Sequence, residues 1–206
     1  MFQDRMKRGI FVVAELEGAV RDEVLAIQRW ADPKLTKGTT PHVTLIGSSG
    51  AGPIAPETSA ARLRTLLAAV VSDTPPMVLH FERPVRFMQT NIIVLPLDPH
   101  GPLRTFHERI IASGLRFQPA RFHFSPHCTL SFFPTMTPAM QRRLLRVRIE
   151  HPVIISRIQF YLTRDPQPAR QLLELTLGPG REPAGRRPGE RGAGSRTRSG
   201  KLASNR

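Results

Sequence analysis

The chain predicts a mixed α+β fold in which one central antiparallel-rich sheet, or two such sheets facing each other, is covered by helices. Two observations predict it. Strand-like and helix-like segments follow one another over residues 9–178 in the order β-α-β-α-β-β-α-β-α-β-β. A five-residue pattern, Pro-His-x-Thr-Leu, occurs as PHVTL at 41–45 and again as PHCTL at 126–130, each time on a strand between two helices. The two halves therefore look like weak duplicates. A hydrophobic content of 40% supplies enough core for a chain of 206 residues.

The elements follow from periodicity and punctuation. GIFVVAEL (9–16) is short, apolar and β-branched, as a buried strand is. Residues 17–32 place Val20, Val24, Leu25, Ile27 and Trp30 at helical spacing and stop before Pro33. PHVTLIG (41–47) is the second strand, ended by a Gly/Ser/Pro loop at 47–56. Residues 56–73 form a helix with Pro56 near its start and a stripe of Leu63, Leu66, Leu67 and Val70. Segments 77–88 and 91–98 read as two strands joined by a tight turn near Gln89–Asn91, and 101–113 again as a helix. The second motif lies in a strand-like stretch, 121–133. A helix at 137–149 begins with Thr137 as N-cap and Pro138 at its first position. Segments 153–164 and 171–178 close the domain as a hairpin. From Pro179 onward Gly, Pro, Ser and Arg dominate, so 1–178 is expected to be one domain of two lobes and 179–206 a disordered basic tail.

Charge and cysteine usage narrow the function classes. Residues 179–206 hold eight Lys/Arg against two Glu, a charge of +6, which leaves +8 of the total +14 for residues 1–178. Both parts are basic, which suits anionic partners such as RNA, although solubility alone is an equal account of such charge. A single cysteine, Cys128, excludes an intrachain disulfide. The apolar run near the N-terminus is shorter than a secretory h-region and is followed by acidic residues, and no segment approaches a membrane span. The expectation is a cytoplasmic, monomeric protein with no membrane partner.

The motif gains meaning from strand geometry. Residues two apart on a strand share a face. His42 and Thr44 therefore point one way while Val43 and Leu45 point the other. In the second copy His127, Thr129 and Ser131 share a face opposite Cys128, Leu130 and Phe132. If the two strands face each other, two imidazoles and two hydroxyls converge. With an ordinary pKa near 6.5, one ring can be neutral and take a proton while the other is charged and gives one. The Thr44 and Thr129 hydroxyls can donate to non-bridging phosphate oxygens. That set suits a phosphoester, and RNA in particular, whose vicinal 2′ and 3′ oxygens can close a cyclic phosphate.

On PHVTL and PHCTL the chain resembles the 2H phosphoesterase superfamily, and within it the 2′-5′ RNA ligase-like, RNA 2′,3′-cyclic phosphodiesterase branch. The resemblance runs from residue 9 to about 178 in element order. It implies a bilobal, pseudo-symmetric fold with two antiparallel-rich sheets facing a central cleft and helices outside. It also implies hydrolysis of an RNA or nucleotide 2′,3′-cyclic phosphate to a 2′-phosphate, without a cofactor, with 2′-5′ ligation as a side activity in some relatives. His42 and His127 carry over as the catalytic pair, Thr44 and Thr129 as phosphate ligands. The reading takes His127 as base and His42 as acid, and the near-symmetry of the motifs leaves the opposite assignment open.

Other readings are weaker. A metal site would need His123 and His127 on one helical face, but Ser125-Pro126 argues for a strand, and no carboxylate or second cysteine stands nearby. Cys128 neighbours His127 on a strand and so faces away from it, as a small core residue. Ser131 and Tyr161 form a second tier: Ser131 by alternation, Tyr161 as the only tyrosine, on a late strand where the resemblance implies an aromatic near the base, with Phe160 in that place or a core role for Tyr161 as equal readings. Arg121 and Lys37 flank the motifs and can attract phosphates. His80, His100, His107 and His151 lack any repeated hydroxyl partner. The same dyad could serve a 2′-5′ oligonucleotide or an ADP-ribose cyclic phosphate, or the cleft could bind RNA without turnover.

Overall fold

A computed structural model describes residues 8–87, 90–98, 100–132, 136–164 and 167–178. The expected tail at 179–206 and part of the expected turn at 89–91 lie outside them. The elements are β1 (Gly9–Glu15), α1 (Gly18–Ala31), β2 (His42–Ile46), α2 (Ala60–Ser72), β3 (Met77–Leu79), β4 (Val85–Arg86), β5 (Ile93–Pro96), α3 (Pro102–Ile111), β6 (His127–Ser131), α4 (Pro138–Leu145), β7 (Val153–Ile155), β8 (Arg157–Arg164) and β9 (Gln167–Thr176). The fold is mixed, with antiparallel sheets, as the sequence predicts.

The predicted helices form where their apolar stripes fall. α1 buries Val20, Val24, Ile27 and Ala31 at helical spacing. The more exposed Trp30 instead carries the Arg143 guanidinium, 3.9 Å from its ring centroid. α2 starts later than Pro56, at an N-cap where the Ser59 hydroxyl accepts from Arg62 N, and buries Leu63, Leu67 and Val71. α4 is capped by Thr137, whose hydroxyl accepts from Met140 N at 3.2 Å, with Pro138 in the first turn.

Three predicted strands are shorter or divided. The 77–88 segment splits into β3 and β4 around Arg83-Pro84, because proline lacks the donor a ladder needs. The 153–164 segment changes partner at Ser156: β7 pairs with β3, whereas β8 pairs with β1. Among the described residues of the predicted 121–133 stretch, only 127–131 form the strand, since Pro126 interrupts it. Upstream, Phe122 instead bridges Ser49 in parallel.

Among the described residues three antiparallel sheets result, in the orders β2-β1-β8-β9, β3-β7 and β4-β5-β6. The two motif strands, β2 and β6, are both edge strands, and they pack against each other. Residues 48–55 and 116–122 lie alongside one another, with Arg121 N donating to Ser48 O, Gly50 N to Phe122 O, Gln118 N to Pro53 O and Ala55 N to Arg116 O. These bonds fasten the loop after the first motif to the segment before the second. One continuous apolar core runs through the sheets and helices, including Ile10, Leu45, Leu67, Leu95, Phe106 and Phe160. Among the described residues no helix is long and apolar enough to cross a membrane.

Candidate active site

Each motif strand pairs with the strand that begins its half of the chain, in matching register. Thr44 lies opposite Val13 and His42 opposite Glu15; Thr129 lies opposite Val94 and His127 opposite Pro96. Both pairs carry an irregularity at the same place. On β2 the register passes from Thr44 to Ile46 while β1 advances one residue, and on β6 it passes from Thr129 to Ser131 while β5 advances one. Leu45 and Leu130, the last residues of the two pentads, are thus the extra residues of two equivalent β-bulges. Side-chain burial repeats accordingly: His and Thr of each motif are half-buried, and the three alternate or following positions are buried.

The bulge decides the fate of Ser131. It restarts the alternation, so Ser131 occupies the position that Ile46 holds in the first copy, and both are fully buried. Straight-strand alternation places Ser131 beside Thr129, but it is not part of the cleft wall that holds Thr129. Tyr161 pairs with Phe11 across β1 and β8, on the sheet face that carries Thr44. Its hydroxyl donates to Glu15 Oε1 at 2.5 Å, and burial followed by this carboxylate pushes its pKa up to about 12. Tyr161 therefore acts on the cross-strand partner of His42 and does not line the cleft.

His42, Thr44, His127 and Thr129 come together around one cleft of about 240 Å³, with Gln28, Phe11, Phe87, Phe122 and Phe132 among its walls. The two imidazoles are held in the same way. His42 Nδ1 donates to Thr40 O at 2.8 Å, and His127 Nδ1 donates to Ser125 O at 2.6 Å. In each case the acceptor is the carbonyl two residues upstream, so each neutral ring carries its proton on Nδ1 and leaves Nε2 for a ligand. Burial lowers the pKa of His127 below the usual histidine value, the Ser125 carbonyl opposes this, and positive charge at His42 lowers it further. The Phe87 ring lies 4.7 Å from the His127 ring, centroid to centroid. Cys128 faces the core as alternation predicts, and burial pushes its thiol up to about 12, far from a reactive thiolate.

Two helices hold the outer edges of the motif strands, and they do so crosswise. From the first half, α1 sends Gln28 to β6, where Nε2 donates to Thr129 O at 2.8 Å. One turn later, Asp32 Oδ2 accepts from Phe132 N at 2.9 Å. From the second half, α3 sends His107 to β2, where Nδ1 donates to Leu45 O at 2.7 Å. His107 is buried, stacks on Phe124 at 3.7 Å between centroids, and has its pKa lowered chiefly by that burial. Sequence reasoning set His107 aside and passed over Gln28 and Asp32. The available signal was a polar residue on the apolar stripe of each helix, four residues after Val24 for Gln28 and next to Phe106 for His107. Among the described residues no three His, Cys, Asp or Glu side chains gather as a set of metal ligands.

Two antiparallel sheets that each present a bulged His-x-Thr edge strand to a shared cleft make this a 2H phosphoesterase fold. The chain is similar in structure to E. coli LigT complexed with 3′-AMP (TM-score 0.54, 14% identity, 83% of this chain and 98% of that one). Apo E. coli LigT gives 0.52 at 15% identity over the same shares, and a crystal structure of a phosphoesterase gives 0.51 at 16% over 84% and 99%. The model of the 2′-5′ RNA ligase superfamily matches residues 16–166, and the chain belongs to that family. No curated protein matches it by sequence. Family and fold together place it among phosphoesterase- and ligase-type enzymes.

Proposed function

We propose that the protein hydrolyses a 2′,3′-cyclic phosphate, on RNA or on a nucleotide, to a 2′-phosphate, by acid–base catalysis from His42 and His127 without a metal ion. The observation that carries this reading is the matched tethering of the two rings. Each Nδ1–H is committed to a main-chain carbonyl, so each Nε2 is the nitrogen left to exchange a proton with substrate. Burial and positive charge at His42 favour neutral His127, which suits the base. In the reaction His127 Nε2 removes a proton from water as its oxygen bonds to phosphorus. The bond from phosphorus to the 3′ oxygen breaks, and His42 Nε2 delivers a proton to that oxygen. Thr44 and Thr129 donate to the non-bridging oxygens, whose charge grows as phosphorus becomes five-coordinate.

The cleft walls support a nucleotide as the ligand. Phe11, Phe87, Phe122 and Phe132 surround the four polar residues, and aromatic faces stack nucleobases without regard to sequence. E. coli LigT, of the same fold, has been crystallised with 3′-AMP and with NADP+. The test is hydrolysis of 2′,3′-cyclic AMP by the wild-type chain and by His42→Ala and His127→Ala, with and without EDTA. Both variants should lose turnover while melting near the wild-type temperature, and EDTA should change nothing. Near-normal hydrolysis by either variant defeats the two-histidine mechanism, and loss on chelation defeats its independence of metal.

A further inference from the structure

In both halves the catalytic imidazole leans on the carbonyl two residues upstream, but the support behind that carbonyl differs. Counting back three residues from each histidine gives Thr39 in the first copy and Phe124 in the second. Thr39 follows a short turn at 35–37, and its hydroxyl donates to Leu35 O at 3.4 Å. Phe124 is instead a buried ring ahead of exposed Ser125, whose carbonyl holds His127. Two residues of α3, three apart and so on one face, grip Phe124. Arg104 Nη2 donates to Phe124 O at 3.3 Å, with its guanidinium 5.6 Å from the ring centroid. The His107 ring stacks on the Phe124 ring at 3.7 Å and 10°.

The same ring also holds the first copy. His107 Nδ1 donates to Leu45 O at 2.7 Å, and Leu45 is the extra residue of the β2 bulge, between Thr44 and Ile46. We propose that His107 is a positioning residue for both motifs at once, its Nδ1–H setting the Thr44 segment and its ring face setting the Ser125 carbonyl that orients His127. The inference rests on the two-histidine reading and adds to it a third, buried histidine that does not touch substrate. Histidine joins the two duties in one small side chain: a flat ring for Phe124 and an N–H on its edge for a carbonyl.

The ring has little freedom to sit otherwise. Gly50, at φ +76, lies against its remaining edge, and a Cβ there would stand 2.3 Å from Cε1 and 2.4 Å from Nε2. Gly50 is itself pinned, its N donating to Phe122 O at 2.9 Å. β2 thus presents a carbonyl to the ring, Phe124 a face and Gly50 main chain. The charged groups whose fields reach His107 are Arg104 and Glu108, both on its own helix. A ring fixed on three sides carries the position of α3 to both copies, which keeps the two imidazoles and the two hydroxyls in one frame.

Two variants take the duties apart. His107→Phe keeps a ring for Phe124 and deletes the donor. His107→Asn places an amide N–H as many bonds from Cα as Nδ1 and deletes the ring face. Each full-length variant is assayed on 2′,3′-cyclic AMP across pH, and its imidazole nitrogens and main-chain carbonyls are followed by NMR. His107→Phe should lower kcat about tenfold, leave the acid limb of kcat/KM in place and move the Leu45 carbonyl resonance. His107→Asn should keep that resonance but loosen the Ser125 tether, so that His127 loses its Nδ1–H preference while His42 keeps it. Burial lowers the His127 pKa, the Ser125 carbonyl opposes this, and the charge at His42 is common to both variants. The acid limb of His107→Asn should therefore move down by about 0.5–1 pH unit, the worth of one hydrogen bond. A kcat within about twofold of wild type in both variants overturns the proposal. So does the same limb shift and the same tautomer change in both, because a ring that merely fills the core disturbs the two copies alike. Each signature is read on its own variant, so if one does not fold the other decides. If the wild-type chain leaves 2′,3′-cyclic AMP intact, the phosphodiesterase reading falls, and the Leu45 and His127 resonances alone uphold or overturn the role of His107.

Discussion

Replacing Gln28 by leucine separates what the α1 amide does for stability from what it does for the site. Gln28 is 2% exposed, its Nε2 donates to Thr129 O at 2.8 Å, and its Oε1 has no partner among the described residues. Turning the amide over gives no relief, because Oε1 would then face the Thr129 carbonyl. Gln28→Leu keeps a similar volume and removes both features. Stranding the Thr129 carbonyl costs about 1–3 kcal/mol, and deleting a buried oxygen that lacks a partner regains a similar about 1–3 kcal/mol. The two effects offset to within about 1 kcal/mol, which for a chain of this size is about 2–4 °C in Tm.

Activity should respond differently. Without its donor the edge of β6 is no longer drawn to α1, and a displacement on the order of 1 Å at a reacting centre lowers turnover about 100-fold. We expect kcat on 2′,3′-cyclic AMP to fall at least about tenfold with Tm almost unchanged. Circular-dichroism melts and chromatography of the 2′-AMP product measure the two quantities on one preparation. A drop in Tm beyond about 8 °C would mean that Oε1 holds a partner which leucine deletes. A kcat within about twofold of wild type would mean that the amide does not position Thr129.

Two further outcomes follow from the shifted histidines. With neutral His127 as base and its pKa lowered by burial, kcat/KM for a cyclic nucleotide should rise with pH along a limb centred below the ordinary histidine value of about 6.5. A limb centred above that value would reverse the acid and base assignment. His107 is likewise held neutral in the fold, so the unfolded chain binds more protons. Its contribution to stability is complete above about pH 6.5 and is lost as pH falls through its lowered folded value. His107→Phe keeps the ring against Phe124 but orphans the Leu45 carbonyl, at a cost of about 1–3 kcal/mol near neutral pH. Its Tm should also fall less than that of wild type between pH 7.5 and pH 5.5, and an equal fall would show that His107 does not carry the linkage.

Much of the molecule is legible along the chain because it follows from local periodicity. The stripes of α1, α2 and α3, the Thr137 cap and the in-out alternation of His42-Val43-Thr44 depend only on neighbours within a turn or a pleat. Segment 153–164 is harder for the same reason. It is uniformly strand-like, and its division at Ser156 is set by which distant strand it meets, β3 or β1.

By itself the sequence determined that two His-x-Thr units would sit on strands with their hydroxyl and imidazole on one face, since side-chain spacing alone dictates that. It could not determine which edges those strands would occupy, that a bulge would move Ser131 into the core at the position equivalent to Ile46, or that Gln28 and His107 would reach across to the opposite motif strand. Those outcomes turn on the main-chain carbonyls of Thr129 and Leu45. Every residue carries such a group, so only the tertiary fold distinguishes the two that a buried side chain must satisfy.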